Sequence, residues 1–265
     1  MDYQKVKLST ADKIATVTLS DPATMNAAGI DIVVELADVF GRLAEDDEVR
    51  AVILTGEGRG FCSGANLSGG RPGAGEGDNA PRDSGSGLKT HYNPFVTLMR
   101  DFPKPIVTAV NGAAAGVGCS LALMGDIIVA GESAYFLQAF RRIGLVPDGG
   151  STYLLPRMIG RARAMEMTLL GERVSAAQAL EWGMINRCVP DADLIAEATK
   201  MARALADGPG SLTLTRKLIW RSLDSEWADQ LEAEADTQSV AGRSADFAEG
   251  VRAFLEKRPA QFVGR

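Results

Sequence analysis

Histidine is almost absent from this 265-residue chain, which carries one, His91, beside three cysteines, Cys62, Cys119 and Cys188. Ligands this scarce, without paired spacing, exclude a metal cluster from the expectations, and no turn has a nucleotide-binding pattern that would imply a redox cofactor. An odd number of cysteines offers no disulfide framework, so reduced thiols are expected. No apolar run approaches the roughly 20 residues that a bilayer span requires, and no membrane crossing is expected. Residues Met1 to Thr10 lack a basic segment leading into an apolar stretch, which sets the expectation of a cytoplasmic protein. Positive charge is outnumbered as well: 28 Lys and Arg against 34 Asp and Glu leave a net charge of -6. Such a field repels phosphate backbones and anionic lipid, so nucleic acid and membrane surfaces are poor partners.

What is present is ordinary for a soluble domain, 46% apolar and 23% charged, and the length suffices for one α/β domain with an appendage. Tyr3 to Leu8 and Ile14 to Leu19 alternate apolar and polar residues around a turn at Ala11-Asp12-Lys13, which predicts a hairpin. Val33, Leu36, Ala37, Phe40 and Leu43 recur at helical spacing, and a strand is predicted over Ala51 to Thr55. Gly69 to Gly87 holds seven glycines and two prolines and no large apolar side chain, the composition of a surface loop. Beyond it, helix over Tyr92 to Met99, strand over Ile106 to Val110, helix over Val117 to Met124 and strand over Ile127 to Ala130 predict strands joined by crossover helices. From Ile195 onward the pattern is helical, with apolar stripes at Leu231 and Ala235 and at Phe247, Val251, Phe254 and Leu255. Periodicity alone leaves these stripes as either intrachain core or subunit interface.

Two short clusters follow predicted strands: Gly60-Phe61-Cys62-Ser63-Gly64-Ala65-Asn66 and Asn111-Gly112-Ala113-Ala114-Ala115-Gly116-Val117-Gly118. Small residues there let backbone approach a ligand closely, and the second cluster opens a helix. A thioester carbonyl that becomes an enolate needs two preorganised donors, and the Ala65 and Val117 N–H groups are the candidates. Taken singly, either cluster reads equally as a tight turn that permits close helix packing.

In this order the clusters resemble those of the crotonase (enoyl-CoA hydratase/isomerase) family, whose members carry phenylalanine-x-x-glycine-x-aspartate and asparagine-glycine-x-alanine-x-glycine turns; Asn66 replaces the aspartate. The likeness continues through Gly125 to Ala130, Gly144-Leu145-Val146-Pro147, Gly149 to Thr152 and Glu181 to Ile185, nearly the whole chain. It implies a ClpP-like α/β spiral of strand-strand-helix turns, taken here as residues 1–200, and a helical C-terminal region, 201–265, that packs homotrimers or hexamers. It also implies an acyl-CoA thioester as substrate, with coenzyme A part of the substrate rather than a cofactor. Asn26, Cys62, Gly64, Ala65, Asn66 and Leu67 are its implied contacts near the first turn. Tyr92, Gly116, Ser120 and Phe140 are those near the acyl group, with Phe254 and Lys257 on a C-terminal helix, often a neighbouring subunit's. Without the likeness, Phe254 reads as a core aromatic and Lys257 as a solvated lysine.

The family's hydratases use two glutamates; here those positions are Ser120 and Phe140, neither of which is a carboxylate base. Asp148, between Val146-Pro147 and Gly149-Gly150, stands where family isomerases carry a single catalytic aspartate. Burial against Phe140 and Leu145 is expected to raise its pKa. Before Gly-Gly-Ser-Thr, Asp148 is also a good helix cap. The segments Tyr92-Asn93-Pro94, Gln138-Ala139-Phe140, Gly160 to Met165, Ala241 to Phe247 and Phe254 to Arg258 resemble the branch that rearranges a ring epoxide of phenylacetyl-CoA. The alternatives are an enoyl-CoA hydratase, a haloaroyl-CoA dehalogenase with His91 as base, and a non-catalytic acyl-CoA-binding or RNA-binding protein; acidity disfavours the last.

Overall fold

A computed structural model describes residues 3–66 and 84–264. It opens with an antiparallel hairpin, β1 (Val6–Ala11) and β2 (Ile14–Leu19), in which Val6 pairs with Leu19 and Ala11 with Ile14. Asp12 and Lys13 take φ of 53° and 66°, the mirror-image two-residue turn whose twist matches that of paired strands. α1 (Ile30–Glu45) buries Ile32, Val33, Leu36, Val39, Phe40 and Leu43.

The chain then repeats one motif. β3 (Ala51–Gly56) and β4 (Gly60–Cys62) precede α2 (Ser84–Gly87), a π-helical turn at Leu88–Tyr92 and α3 (Asn93–Asp101). β5 (Ile106–Val110) and β6 (Ala113–Ala115) precede α4 (Val117–Leu123). β7 (Ile127–Gly131) and β8 (Tyr135–Leu137) precede a 3-10 turn and α5 (Ser151–Leu170). β9 (Arg173–Ser175), α6 (Ala176–Glu181) and β10 (Arg187–Val189) complete the sheets. In each pass the long strand joins a six-stranded sheet, ordered β1-β2-β3-β5-β7-β10, and the short one a four-stranded sheet, ordered β4-β6-β8-β9. This is the expected spiral. The four-stranded sheet is not foreseen by periodicity, because Gly60–Cys62 and Ala113–Ala115 are too short and too small to alternate. Of the loop predicted over Gly69 to Gly87, residues 69–83 lie outside the described residues, and Ser84–Gly87 is helical.

β3 and β5 are buried along their whole length, as strands covered on both faces must be. α7 (Leu194–Ala206) covers one face, with Ala198, Ala202 and Ala206 packing on Ile53, Val107 and Val129; it crosses residue 200 as one helix. On the other side Phe40 meets Phe95 and Phe102 edge to face, with ring centroids 5.7 and 5.1 Å apart. Three helices follow: α8 (Ser211–Ser222), α9 (Trp227–Ala241) and α10 (Ala245–Glu256).

α8 is pinned to the core by a buried cation. Arg216 donates to Asp126 at 2.7 Å and to the carbonyls of Met99, Arg100 and Phe102, while Asp126 also accepts the Ile106 N–H. Removing one partner of such a buried pair strands the other, so Arg216→Ala is expected to cost about 3–5 kcal/mol in urea unfolding. The C-terminal stripes are not intrachain core: Leu231, Phe247, Val251, Phe254 and Leu255 are all exposed, Phe254 to 82%. Among the described residues no helix is long and apolar enough to cross a membrane.

Candidate active site

β4 and β6 end side by side, so the two glycine clusters meet. A Cβ placed on Gly64 would stand 3.1 Å from the Ala115 carbonyl oxygen, and one on Gly116 would stand 3.7 Å from Gly64 Cα. Gly116 takes φ 53° and ψ -128°, a conformation closed to side chains of ordinary handedness, and donates its N–H to Leu137 at 2.8 Å. Val117 begins α4 directly afterwards. Across from it, the Gly64 carbonyl accepts the Ala28 N–H at 2.7 Å, and the Ala28 carbonyl accepts the Tyr92 hydroxyl at 2.6 Å. Among the described residues neither the Ala65 nor the Val117 N–H donates a hydrogen bond. Both N–H groups are left without an intrachain acceptor among these residues.

Asp148 lies beside this pair. A Cβ on Gly149 would stand 2.7 Å from Ser120 Cβ and 3.4 Å from Val117 Cγ2, which places the Asp148 segment against the first turn of α4. The Asp148 carbonyl accepts three hydrogen bonds, from Ser120 Oγ at 2.8 Å, Ser151 Oγ at 2.9 Å and the Ser151 N–H at 3.1 Å. Its backbone is therefore held firmly while its carboxylate is not: Oδ1 is buried without a partner. The capping alternative does not occur, because α5 has Gly150 at its N-cap and no side chain accepts there. Burial pushes the carboxyl up to about 6. Leu145 is 42% exposed and contributes less to that burial than expected. Phe140 is buried with its ring against Gly116. Tyr92 faces the same carboxylate, and burial, aided by the Asp148 charge, pushes its hydroxyl up to about 12.

The raised carboxyl makes stability depend on pH in a definite sense. The unfolded reference is 3.8, so between that value and about 6 the folded state keeps a proton the unfolded chain has lost. Stability falls as pH rises through this window, by on the order of 2 kcal/mol. Asp148→Asn is expected to exceed the wild type in urea unfolding at neutral pH and to lose that advantage toward pH ~4.

The other residues expected as contacts are placed as follows. Asn26 is fully buried; its Nδ2 donates to the Glu57 and Gly60 carbonyls and its Oδ1 accepts the Asp21 N–H, so its side chain braces the β4 turn from within. Cys62 is also wholly buried, its thiol pushed up to about 11 by desolvation, and it forms the floor on which α4 packs. Ser120, fully buried, is engaged with the Asp148 and Gly116 carbonyls. Asn66 is half-buried beside Ala65, and Leu67 lies outside the described residues. His91 sits on the π turn with Nδ1 2.8 Å from the Thr90 hydroxyl. Phe254 and Lys257 stand on the exposed end of α10, where Lys257 takes φ 53° and Phe254 lines a groove of about 420 Å³ with Phe247 and Phe262.

A family model described as enoyl-CoA hydratase/isomerase matches residues 9–265. The chain is 45% identical over 253 residues to a protein named 1,2-epoxyphenylacetyl-CoA isomerase from Escherichia coli (strain K12), covering 95% of each. It is 42% identical to a probable enoyl-CoA hydratase from Rhodobacter capsulatus over the full length of both. Among solved structures, a putative enoyl-CoA hydratase from Streptomyces coelicolor A3(2) superposes with a TM-score of 0.91 at 35% identity, covering 100% of this chain and 96% of that one.

Proposed function

Because the chain belongs to the enoyl-CoA hydratase/isomerase family, we propose that it is an acyl-CoA isomerase that moves or rearranges a double bond through a thioester enolate, with Asp148 as its one proton carrier. The observation that carries this reading is the half-buried Asp148 carboxylate, whose Oδ1 is buried without a partner, flanked by Ser120 and Phe140 where hydratases hold two glutamates. With a 3-enoyl-CoA, the Asp148 carboxylate takes a proton from C2, and the C–H pair moves into the thioester, whose oxygen is held by the Ala65 and Val117 N–H groups. The pair then returns through the dienolate, C4 gains the proton from the Asp148 carboxylic acid, and the double bond lies between C2 and C3. Nothing is oxidised or reduced and no water is consumed, so the step needs no cofactor. Phe140 keeps out the water that hydration would require.

The same enolate serves a ring epoxide, the substrate type named for the Escherichia coli relative. The exposed faces of α9 and α10 support a homotrimer or hexamer in the cytoplasm, with Phe254 and Lys257 reaching the coenzyme A of a neighbouring copy. The test is incubation with a 3-enoyl-CoA in deuterated water, with products identified by mass spectrometry. Formation of 2-enoyl-CoA with little 3-hydroxyacyl-CoA supports the isomerase; rapid formation of 3-hydroxyacyl-CoA overturns it in favour of the hydratase.

A further inference from the structure

We propose that Gln138 is a specificity-determining residue of this site, whose amide donates to an oxygen carried by the acyl group beyond the thioester. The inference rests on the acyl-CoA isomerase reading above and narrows its substrate from a plain enoyl chain to an acyl group bearing an ether-type or epoxide oxygen.

Gln138 is 0% exposed, and among the described residues neither Oε1 nor Nε2 has a nitrogen or oxygen partner. Its polar neighbour is the Cys119 thiol, with which it shares a side-chain hydrogen bond; a thiol is a weak donor and a weak acceptor, and leaves the amide without a strong partner. The other buried amide or guanidinium groups with an unpaired atom are anchored elsewhere: Arg50 donates to the Gly208 carbonyl, and Gln230 donates to the Leu218 carbonyl at 3.1 Å. Among the described residues Gln138 alone is an amide with no nitrogen or oxygen partner at either end. A methionine or leucine would fill the same volume without leaving polar atoms dry, so this position carries a standing cost to the fold. Such a cost in a native core is the mark of a group kept for a ligand.

Its location fits that role. Gln138 directly follows Leu137, whose carbonyl accepts the Gly116 N–H, and precedes by two residues Phe140, whose ring lies against Gly116. Cys119, which it touches, lies in the first turn of α4, begun by Val117. The amide is thus built into the wall behind the Val117 donor. A hydrocarbon acyl chain gives it nothing; an acceptor oxygen satisfies Nε2.

The experiment compares the wild type with Gln138→Met and Gln138→Leu on two probes, 3-hexenoyl-CoA and the ring epoxide of phenylacetyl-CoA. The wild type is expected to prefer the epoxide in kcat/KM. Both variants are expected to lose about 10- to 100-fold on the epoxide while changing by less than about threefold on 3-hexenoyl-CoA. Their melting temperatures are expected to rise by about 2–4 °C, since an unsatisfied amide has been removed. Equal losses on both probes, no loss on either, or a wild type that prefers the plain chain overturns the inference and leaves Gln138 a wall residue satisfied by a trapped water. A wild type that isomerises neither probe overturns the isomerase reading itself, which is a different result from an unchanged ratio.

Discussion

Asp148→Asn is expected to lower kcat for 3-enoyl-CoA isomerisation by about 10³-fold, within the range that a positioned general acid–base contributes, while KM changes little. Asparagine keeps the size and buried position of the side chain and removes only the capacity to carry a proton. The three hydrogen bonds to the residue 148 carbonyl, from Ser120 and Ser151, are made by the backbone and survive the change. Loss of deuterium exchange at C2 should accompany the loss of turnover. In the wild type, kcat/KM should rise with pH through the carboxyl's raised value of about 6, because the base must be ionised to accept the proton. The same substitution is the one expected to stabilise the fold at neutral pH. Activity and stability moving in opposite directions distinguish a proton carrier from a structural carboxylate, whose removal would lower both. Turnover retained within about tenfold in Asp148→Asn would show that the proton travels through another group.

Gly118→Ala is expected to lower kcat by about 10²- to 10³-fold, the scale on which a misplaced oxyanion donor is felt. A Cβ at this position would stand 2.3 Å from the Cys62 carbonyl oxygen and 2.7 Å from Cys62 Sγ. The carbonyl belongs to β4, which pairs with β6, so it cannot withdraw without moving the strand that leads into Gly64 and Ala65. The added methyl therefore separates the Ala65 turn from the Val117 turn, and the two N–H groups no longer converge. Overpacking of this kind costs about 1–3 kcal/mol of stability in addition. Gly41→Ala supplies the control: it lies in α1 with nothing within 4 Å of an added Cβ and should gain about 0.5–1 kcal/mol at unchanged kcat. Steady-state kinetics and urea unfolding on the three proteins check both halves. Normal kcat in Gly118→Ala would mean that the donors lie elsewhere.

The elements with strong periodicity were legible in the chain. The hairpin around Asp12-Lys13, the stripe of α1 and the buried run Ile106–Val110 each carry their own signal, because alternation and helical spacing are local properties. The short strands β4, β6 and β8 were not, since three residues are too few to hold an alternating pattern; pairing across the sheet defines them. The site divides in the same way. Asp148 and the two glycine turns could be singled out by residue type and order. That the side chains of Asn26, Cys62 and Ser120 are fully buried, with Asn26 and Ser120 bonded to carbonyls of distant segments, depends on which way each points after the turns have come together.

Residue content and order by themselves determined the family, the absence of a second carboxylate at positions 120 and 140, and the presence of two small-residue turns that can bring N–H groups to one oxygen. The tertiary structure alone decided that Asp148 caps no helix but keeps one buried oxygen without a partner, that Ser120 holds its backbone, and that Gln138 is buried with no nitrogen or oxygen partner at either amide end. The physical reason is the same in each case. Hydrogen-bond satisfaction and desolvation depend on atoms contributed by segments far apart in the chain, and no local pattern records which of them will meet.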